Sequence, residues 1–163
     1  MKKKVLFLIL LLGFILSGCS KEAVDPFTLP DHGDFELVLT VKTVAGEEVT
    51  GEDLVLRLAD VKEMSVFLKN LDSELAVKTY VDRKEEPTLS DAATAGAGKG
   101  QPFTIGHTFA AVDHEQLPKE APDYFSIGKH TLTVFQFDET YSDEVPVKEN
   151  IQGIKTLTYE IVE

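Results

Sequence analysis

Hydrophobic and polar residues alternate along much of the chain. In DFELVLTVKT, residues 34–43, every second residue from Phe35 to Val41 is apolar. A period of two is typical of a strand with one buried face. A glycine turn and a short polar edge follow at 45–51, and LVLRL at 54–58 then repeats the alternation. These stretches predict an opening hairpin and a third strand.

Four more stretches have strand character. Within one of them, Leu132 and Val134 share one parity while Phe135 and Phe137 share the other, which predicts a central strand covered on both faces, or a bulge. Short strands separated by turn signals roughly every ten residues predict an all-β fold, an antiparallel β-sandwich. The four stretches are 76–81, 102–112, 129–138 and 155–163.

Residues 60–71, DVKEMSVFLKNL, fit two patterns. Apolar residues recur within them at helical spacing, and Asp60 with Glu63 resembles a helix capping box. The sequence SVFL at 65–68 equally suits a strand. Both interpretations stay open at this stage.

Three stretches are rich in the residues that interrupt regular structure. Residues 19–34 contain two prolines and a glycine and predict a flexible tether. Residues 83–101, RKEEPTLSDAATAGAGKGQ, predict a loop long enough to be either functional or disordered. Residues 138–144 hold four carboxylates and predict a solvated acidic loop. We expect the last two stretches to be contact regions.

The first 18 residues differ from the rest of the chain. Three lysines at 2–4 precede an apolar run at 5–16, which is shorter than the roughly 20 residues that span a bilayer. A basic start, a short apolar core and small residues at the end are typical of a secretory signal peptide. The sequence LSGC resembles the lipobox of bacterial lipoprotein precursors, formed here by Leu16, Ser17, Gly18 and Cys19.

The lipobox resemblance implies that the sulfur of Cys19 carries a diacylglyceryl group and that Cys19 becomes the new N-terminus. Two acyl chains anchor a protein stably, because each buried methylene contributes about 0.8 kcal/mol. The predicted organisation is a signal peptide at 1–18, a lipidated tether at 19–34 and a β-sandwich domain at 35–163. The predicted location is the extracytoplasmic face of a bacterial cell membrane.

The charge of the exported part narrows the choice of partners. Removal of the signal takes away three of the 16 basic residues and none of the 28 acidic ones, which leaves a net charge of −15 with histidine neutral. Phosphate backbones repel such a surface, which argues against nucleic acid. Once lipidated, Cys19 leaves no thiol for a disulfide, for catalysis or for a metal.

No catalytic or cofactor motif is complete. The sequence AGAGKGQ at 95–101 lacks the first glycine and the Ser or Thr of a phosphate-binding loop. No Gly-x-Ser-x-Gly is present. The acidic run at 138–144 lacks the spacing of an EF-hand calcium loop. We therefore expect a protein that is not an enzyme and holds no cofactor.

The four histidines offer one candidate site. Residue parity places His107 on the apolar face of its strand, where a core histidine bonded to the backbone is the simplest interpretation. If His130 met His107 across a sheet, the pair would form a zinc or copper site. No histidine pair has the i,i+4 spacing of a helical metal site.

Two stretches resemble bacterial immunoglobulin-like domains: LTVKTVAGEEVTGEDLVLRL at 39–58 and SIGKHTLTVFQFDE at 126–139. The resemblance implies an immunoglobulin-like sandwich and no particular activity. We expect a membrane-anchored binding or interaction module with a surface protein or peptide as its partner. The alternatives are a small-ligand or metal-binding lipoprotein that uses His107 and His130, and a structural envelope protein.

Overall fold

The computed structural model describes residues 24–85, 102–111, 123–138 and 145–163. In these residues the chain forms nine strands and a few 3-10 turns, which confirms the all-β prediction. The strands are β1 (Glu36–Thr43), β2 (Glu48–Gly51), β3 (Leu54–Arg57), β4 (Val61–Leu71), β5 (Ala76–Val81), β6 (Lys84–Glu85), β7 (Phe103–Ala111), β8 (Gly128–Phe137) and β9 (Ile151–Val162). The 3-10 turns in this part of the chain are Pro26–Thr28, Leu58–Asp60, Asp123–Phe125 and Lys148–Asn150.

The strands form two sheets. One has four strands in the order β2-β1-β4-β7, and the other has five in the order β3-β9-β8-β5-β6. Every described pair is antiparallel except β3 and β9, which run parallel with Leu54 opposite Tyr159. The expectation of a purely antiparallel domain is therefore wrong for this one pair.

The inner faces of both sheets share one apolar core. The alternation predicted for the first strand is seen in β1, where Leu39 and Val41 are fully buried. They meet residues of β5, β8 and β9 from the other sheet. The buried members of this core include Phe35, Leu39, Val41, Met64, Val66, Leu68, Leu71, Val77, Val81, Leu132, Val134, Leu157 and Ile161.

Residues 61–71 form a strand rather than a helix. The helical spacing arises because β4 is irregular at both ends. Near Val61 its pairing with β1 shifts by a residue, and near Leu71 its pairing with β7 shifts again. Asn70 adopts a left-handed conformation with φ of 60° at the second irregularity. Each shift turns the next apolar residue back toward the core, and Val66 between them is also buried.

Strand β8 is covered on both faces, which is one of the two outcomes that its mixed parity predicted; the other, an irregularity, is also present between Gln136 and Phe137. It lies between β5 and β9. Leu132 and Val134 face the core between the sheets. Phe135 and Phe137 face outward into a second apolar cluster that also contains Tyr80, Ile151 and Ile154.

Residues 24–34 cover this second cluster. Phe27 and Leu29 pack onto it, and His32 forms an isolated antiparallel bridge with Ile154. The expectation of a flexible tether is therefore wrong for residues 24–34, which belong to the folded domain. We call residues 24–34 the strap.

The predicted loop at 83–101 begins with a short strand, because β6 pairs with the end of β5. Its remaining residues, 86–101, lie outside the described residues. So do residues 139–144 of the acidic loop, and residues 1–23 with the signal peptide and lipobox.

The domain has two ends, a histidine end and a cleft end. At the histidine end, strands β1, β5 and β9 finish and β4 and β8 begin, close to His130. At the cleft end, β1, β5 and β9 begin and β4 and β8 finish. The turn at 72–75 joins the two sheets at the cleft end.

Candidate functional site

The strap is fixed to the domain first at the histidine end. The carboxylate of Asp25 caps the 3-10 turn by accepting the backbone N–H of Phe27 at 3.0 Å. Its other oxygen accepts from the guanidinium of Arg83 at 2.8 Å. The same guanidinium lies 5.5 Å from the centre of the Phe27 ring, within the range of a cation–π contact.

Aromatic contacts continue the attachment of the strap. The Phe27 ring meets Tyr80 and Phe135 edge to face, with centroids 5.1 and 5.3 Å apart. Tyr80 and Phe135 also meet each other at 5.6 Å. Such pairs contribute about 0.5–1.5 kcal/mol each beyond the burial of apolar area. The strap is therefore held by packing more than by the exposed ion pair.

The far half of the strap follows the part of β9 that β3 does not cover, and it ends at the cleft end. His32 and Ile154 exchange two backbone hydrogen bonds, both 3.0 Å long. The carboxylate of Asp31 accepts the backbone N–H of Thr156 at 3.1 Å. Gly33, with φ of 90°, lies so close to the strand that a Cβ there would stand 2.9 Å from the Cα of Gly153. A Cβ on Gly153 would meet the Phe35 ring at the same distance.

At the histidine end, His130 is 4% exposed and both of its ring nitrogens face oxygen. Nδ1 lies 2.7 Å from the carboxylate of Asp82, and Nε2 lies 2.8 Å from the carbonyl oxygen of Ser126. The second carboxylate oxygen of Asp82 accepts the backbone N–H of Thr131 at 2.9 Å. These hydrogen bonds join the turn that follows β5 to the segment that leads into β8.

Tyr159 completes this network. Its ring stacks on His130 with centroids 5.0 Å apart, and its hydroxyl donates to the carbonyl oxygen of Tyr124 at 3.0 Å. Burial, with a smaller contribution from the charge of Asp82, raises the pKa of the Tyr159 phenol far above its ordinary value. A phenol held neutral in this way is a hydrogen-bond donor and a poor proton shuttle.

The proposed histidine pair does not form across a sheet. His107 lies on β7 of the four-stranded sheet, opposite Val66, and is half-buried. His130 lies on β8 of the five-stranded sheet, and its nitrogens are already bonded. Within the described ranges, no group of three or more His, Cys, Asp or Glu side chains is arranged to hold a metal ion. The two histidines lie in different sheets, so the condition for the alternative metal site, a pairing across one sheet, is not met.

A cleft of about 640 Å³ opens at the cleft end, between the two sheets. The start of β1, the turn at 72–75, the start of β7, the end of β8 and the start of β9 form its walls. Its lining residues are Gly33, Asp34, Phe35, Asn70, Leu71, Asp72, Glu74, Leu75, Pro102, Gln136 and Gln152. Three are carboxylates, three are carboxamides, and no lining residue in the described part of the chain is basic.

Gln136 is the buried polar group of the cleft. It has the inward parity of Leu132 and Val134 and is only 5% exposed. Its side-chain nitrogen donates to the carbonyl oxygen of Asp72 at 3.3 Å. The described residues give its oxygen no hydrogen-bond donor, and this oxygen is open to the cleft rather than enclosed.

The turn beside Gln136 is built on Asp72. One carboxylate oxygen of Asp72 accepts the backbone N–H of Glu74 at 2.9 Å, and its carbonyl oxygen also accepts from Leu75 at 3.3 Å. This is the local chemistry of an Asx turn. Its position brings an aspartate to the cleft wall.

The sequence predicted neither the cleft nor Gln136 as a functional position. A signal for Gln136 was present, because a lone amide at an inward position of an apolar strand requires a partner. The cleft itself had no local signal, since its walls come from five separate parts of the chain.

No protein-family model, no curated protein and no solved structure matches this chain. Among the residues that the structure describes, no helix has the length and apolar character needed to cross a bilayer. The function has to be inferred from the chain's own residues.

Proposed function

We propose that this protein is a lipid-anchored, extracytoplasmic binding module with an immunoglobulin-like domain, which binds a surface protein or peptide. The lipobox resemblance at 16–19 supports the anchor, with Cys19 as the lipidated residue. Two stacked sheets of short strands, and a glycine at the start of β8, support an immunoglobulin-like architecture.

The observation that carries this proposal is the path of the strap. It begins beside Arg83 at the histidine end and finishes at Gly33, in the wall of the cleft at the opposite end. A lipid on Cys19 would therefore be joined to the domain at the end away from the cleft.

Chain length sets how far the domain stands from the membrane. Asp25 follows Cys19 by six residues, which span roughly 20 Å when fully extended. The ten residues of β8 cover about 33 Å between the two ends of the sheet. A lipidated Cys19 would thus keep the histidine end close to the bilayer and turn the cleft outward.

Detergent partitioning tests the anchor. We expect the wild-type protein to enter the detergent phase and Cys19→Ala to move to the aqueous phase. Ser20→Ala, one residue further on, is the matched control and should remain with the detergent. An unchanged distribution of Cys19→Ala would overturn lipid anchoring.

Fluorescence quenching by labelled lipid headgroups tests the orientation. We would attach one fluorophore at Glu47→Cys, in the exposed turn between β1 and β2 at the histidine end. A second protein would carry it at Gln152→Cys, at the cleft end. We expect strong quenching at position 47 and weak quenching at position 152, and equal quenching would contradict the orientation.

Crosslinking on living cells tests the binding role. A tag at the C-terminus would recover the crosslinked protein for mass spectrometry, and one dominant surface protein is the expected result. Recovery of background proteins alone would contradict the role. The loops 83–101 and 138–144 stay predicted contact regions.

A further inference from the structure

We propose that the cleft binds a positively charged amine or guanidinium carried on a flexible apolar stem. A lysine or arginine side chain of a peptide has this chemistry, and so does a linear polyamine. The inference deepens the proposed binding role and rests on it, because it names the site and the class of ligand.

The orientation of Gln136 gives the first reason. A carbonyl oxygen only accepts hydrogen bonds, so the bond to Asp72 requires the amide nitrogen of Gln136 on that side. The amide oxygen then points the other way, toward the cleft that Gln136 lines. An acceptor that is open to the cleft and bonded to no described donor can accept a hydrogen bond from a ligand or from water.

Two carboxylates in the cleft wall are also hydrogen-bond acceptors. Asp34 and Asp72 bring carboxylates, which accept hydrogen bonds and carry negative charge. The lysine nearest in sequence, Lys69, lies 3.8 Å from the carboxylate of Glu36. A ligand that supplies several N–H donors and a positive charge would complement all of these groups at once.

The apolar part of the lining gives the last reason. Phe35 and Leu71 are almost fully buried, and Leu75 and Pro102 lie beside them in the wall. Lysine and arginine pack their methylene stems on apolar surface while their charged ends reach polar groups. A cleft lined by both apolar side chains and hydrogen-bond acceptors suits such a side chain better than a compact ion.

Isothermal titration calorimetry on the full-length protein in detergent micelles tests the inference. The probes are spermidine and a short peptide of alternating lysine and alanine, with a glutamine–alanine peptide as the neutral control. We expect saturable binding of at least one cationic probe at low salt. High salt should weaken it, because screening reduces attraction between partly exposed charges.

Three variants locate the binding. The double variant Asp34→Asn, Asp72→Asn removes two negative charges from the cleft and should weaken affinity at least about fivefold. The turn should be preserved, because asparagine at position 72 keeps a side-chain oxygen for the Glu74 N–H. Gln136→Leu should weaken it about tenfold by removing the acceptor that is open to the cleft. The matched control is Glu47→Gln with Glu48→Gln, which removes the same net charge at the histidine end and should leave affinity unchanged.

The outcomes separate the sources of the ligand. Binding of the peptide alone indicates a protein partner, binding of spermidine alone indicates a free polyamine, and binding of both supports the shared chemistry. Absence of binding by either probe overturns the inference, as does equal weakening by the control variant. Competition by millimolar calcium with no effect of Gln136→Leu would also overturn it. None of these results depends on lipidation of Cys19. Detergent partitioning tests the anchor independently of the calorimetry.

Discussion

At the histidine end of the domain the buried polar side chains are held by hydrogen bonds, and at the cleft end two polar side chains are open to the cleft. His130 uses both ring nitrogens, and Asp82 uses both carboxylate oxygens. At the cleft end, the amide oxygen of Gln136 has no donor among the described residues. Asp34 likewise makes no hydrogen bond through its side chain there.

This difference suggests that the histidine end stabilises the fold, whereas the cleft end is available to bind a ligand. Buried polar groups that are fully satisfied hold turns in a single arrangement. An acceptor that is open to a cavity, like the Gln136 oxygen, can take its donor from a bound molecule. His130 is a candidate metal ligand by sequence, yet its two hydrogen bonds join it to the turns at Asp82 and Ser126, which gives it a structural role. The less conspicuous glutamine is the residue that faces a cavity.

The largest expected effect comes from breaking the network at the histidine end. Asp82→Ala removes the acceptor for buried His130 and for the Thr131 N–H. It also places alanine at a left-handed position, since Asp82 has φ of 50°. We expect a loss of about 3 kcal/mol in the free energy of unfolding, measured by urea denaturation.

Asp82→Asn is the informative control for that variant. Asparagine tolerates the left-handed conformation and keeps an oxygen for Thr131, so its loss should be clearly smaller. If Asp82→Ala unfolded no more easily than the wild-type protein, the histidine end would not be the structural one.

The second effect concerns the strap near the histidine end. Phe27→Ala removes the ring that meets Tyr80 and Phe135, and we expect a loss of about 2 kcal/mol because the ring is partly exposed. Val24→Ala is the control, since that side chain is 46% exposed. Binding of a cationic probe at the cleft should survive in Phe27→Ala. Loss of binding would show that the strap and cleft act together.

Local patterns predicted the elements of the fold well where alternation was regular. The two parities of β8, read at Leu132 and Phe135, correctly indicated burial on both faces. The pattern failed at residues 60–71 because the pairing shifts imitate helical spacing. The alternation of apolar residues also could not show that β3 runs parallel to β9. It reports which residues of a strand are buried, and it does not identify a partner strand about a hundred residues away.

Contacts between distant residues explain what the sequence left unpredicted at the sites. The prolines and glycine of residues 24–34 correctly indicate irregular backbone, but Phe27 finds its partners more than 50 residues away. His130 and its partner Asp82 are 48 residues apart. The inward parity of Gln136 could have indicated a buried amide, whereas the cleft required the assembled sheets.

The third effect is a pH dependence at the histidine end. Tyr159→Phe loses the hydrogen bond to Tyr124, and we expect a cost of about 1 kcal/mol near neutral pH. Burial raises the pKa of Tyr159, whereas the unfolded phenol ionises near pH 10. Above that pH the unfolded state binds fewer protons than the folded one, so this contribution to wild-type stability is lost as pH rises.

Urea denaturation between pH 8 and pH 11 would check this dependence. The difference in unfolding free energy between wild type and Tyr159→Phe should shrink above pH 10. The other tyrosines are present in both proteins, so their titration cancels in that difference. Parallel stability curves across the range would contradict a raised pKa for Tyr159.

The smallest effect belongs to the cleft end. Asp34 is exposed, and no hydrogen bond of its side chain is found in the described residues, so Asp34→Asn should change the unfolding free energy by no more than roughly 0.5 kcal/mol. The same substitution should weaken a cationic probe, because it removes charge from the cleft wall. Asp82→Asn should do the reverse and lower stability while leaving probe affinity intact. If Asp34→Asn destabilised the fold as much as Asp82→Asn does, the two ends would not differ in kind, and the open acceptors of the cleft would be part of the scaffold.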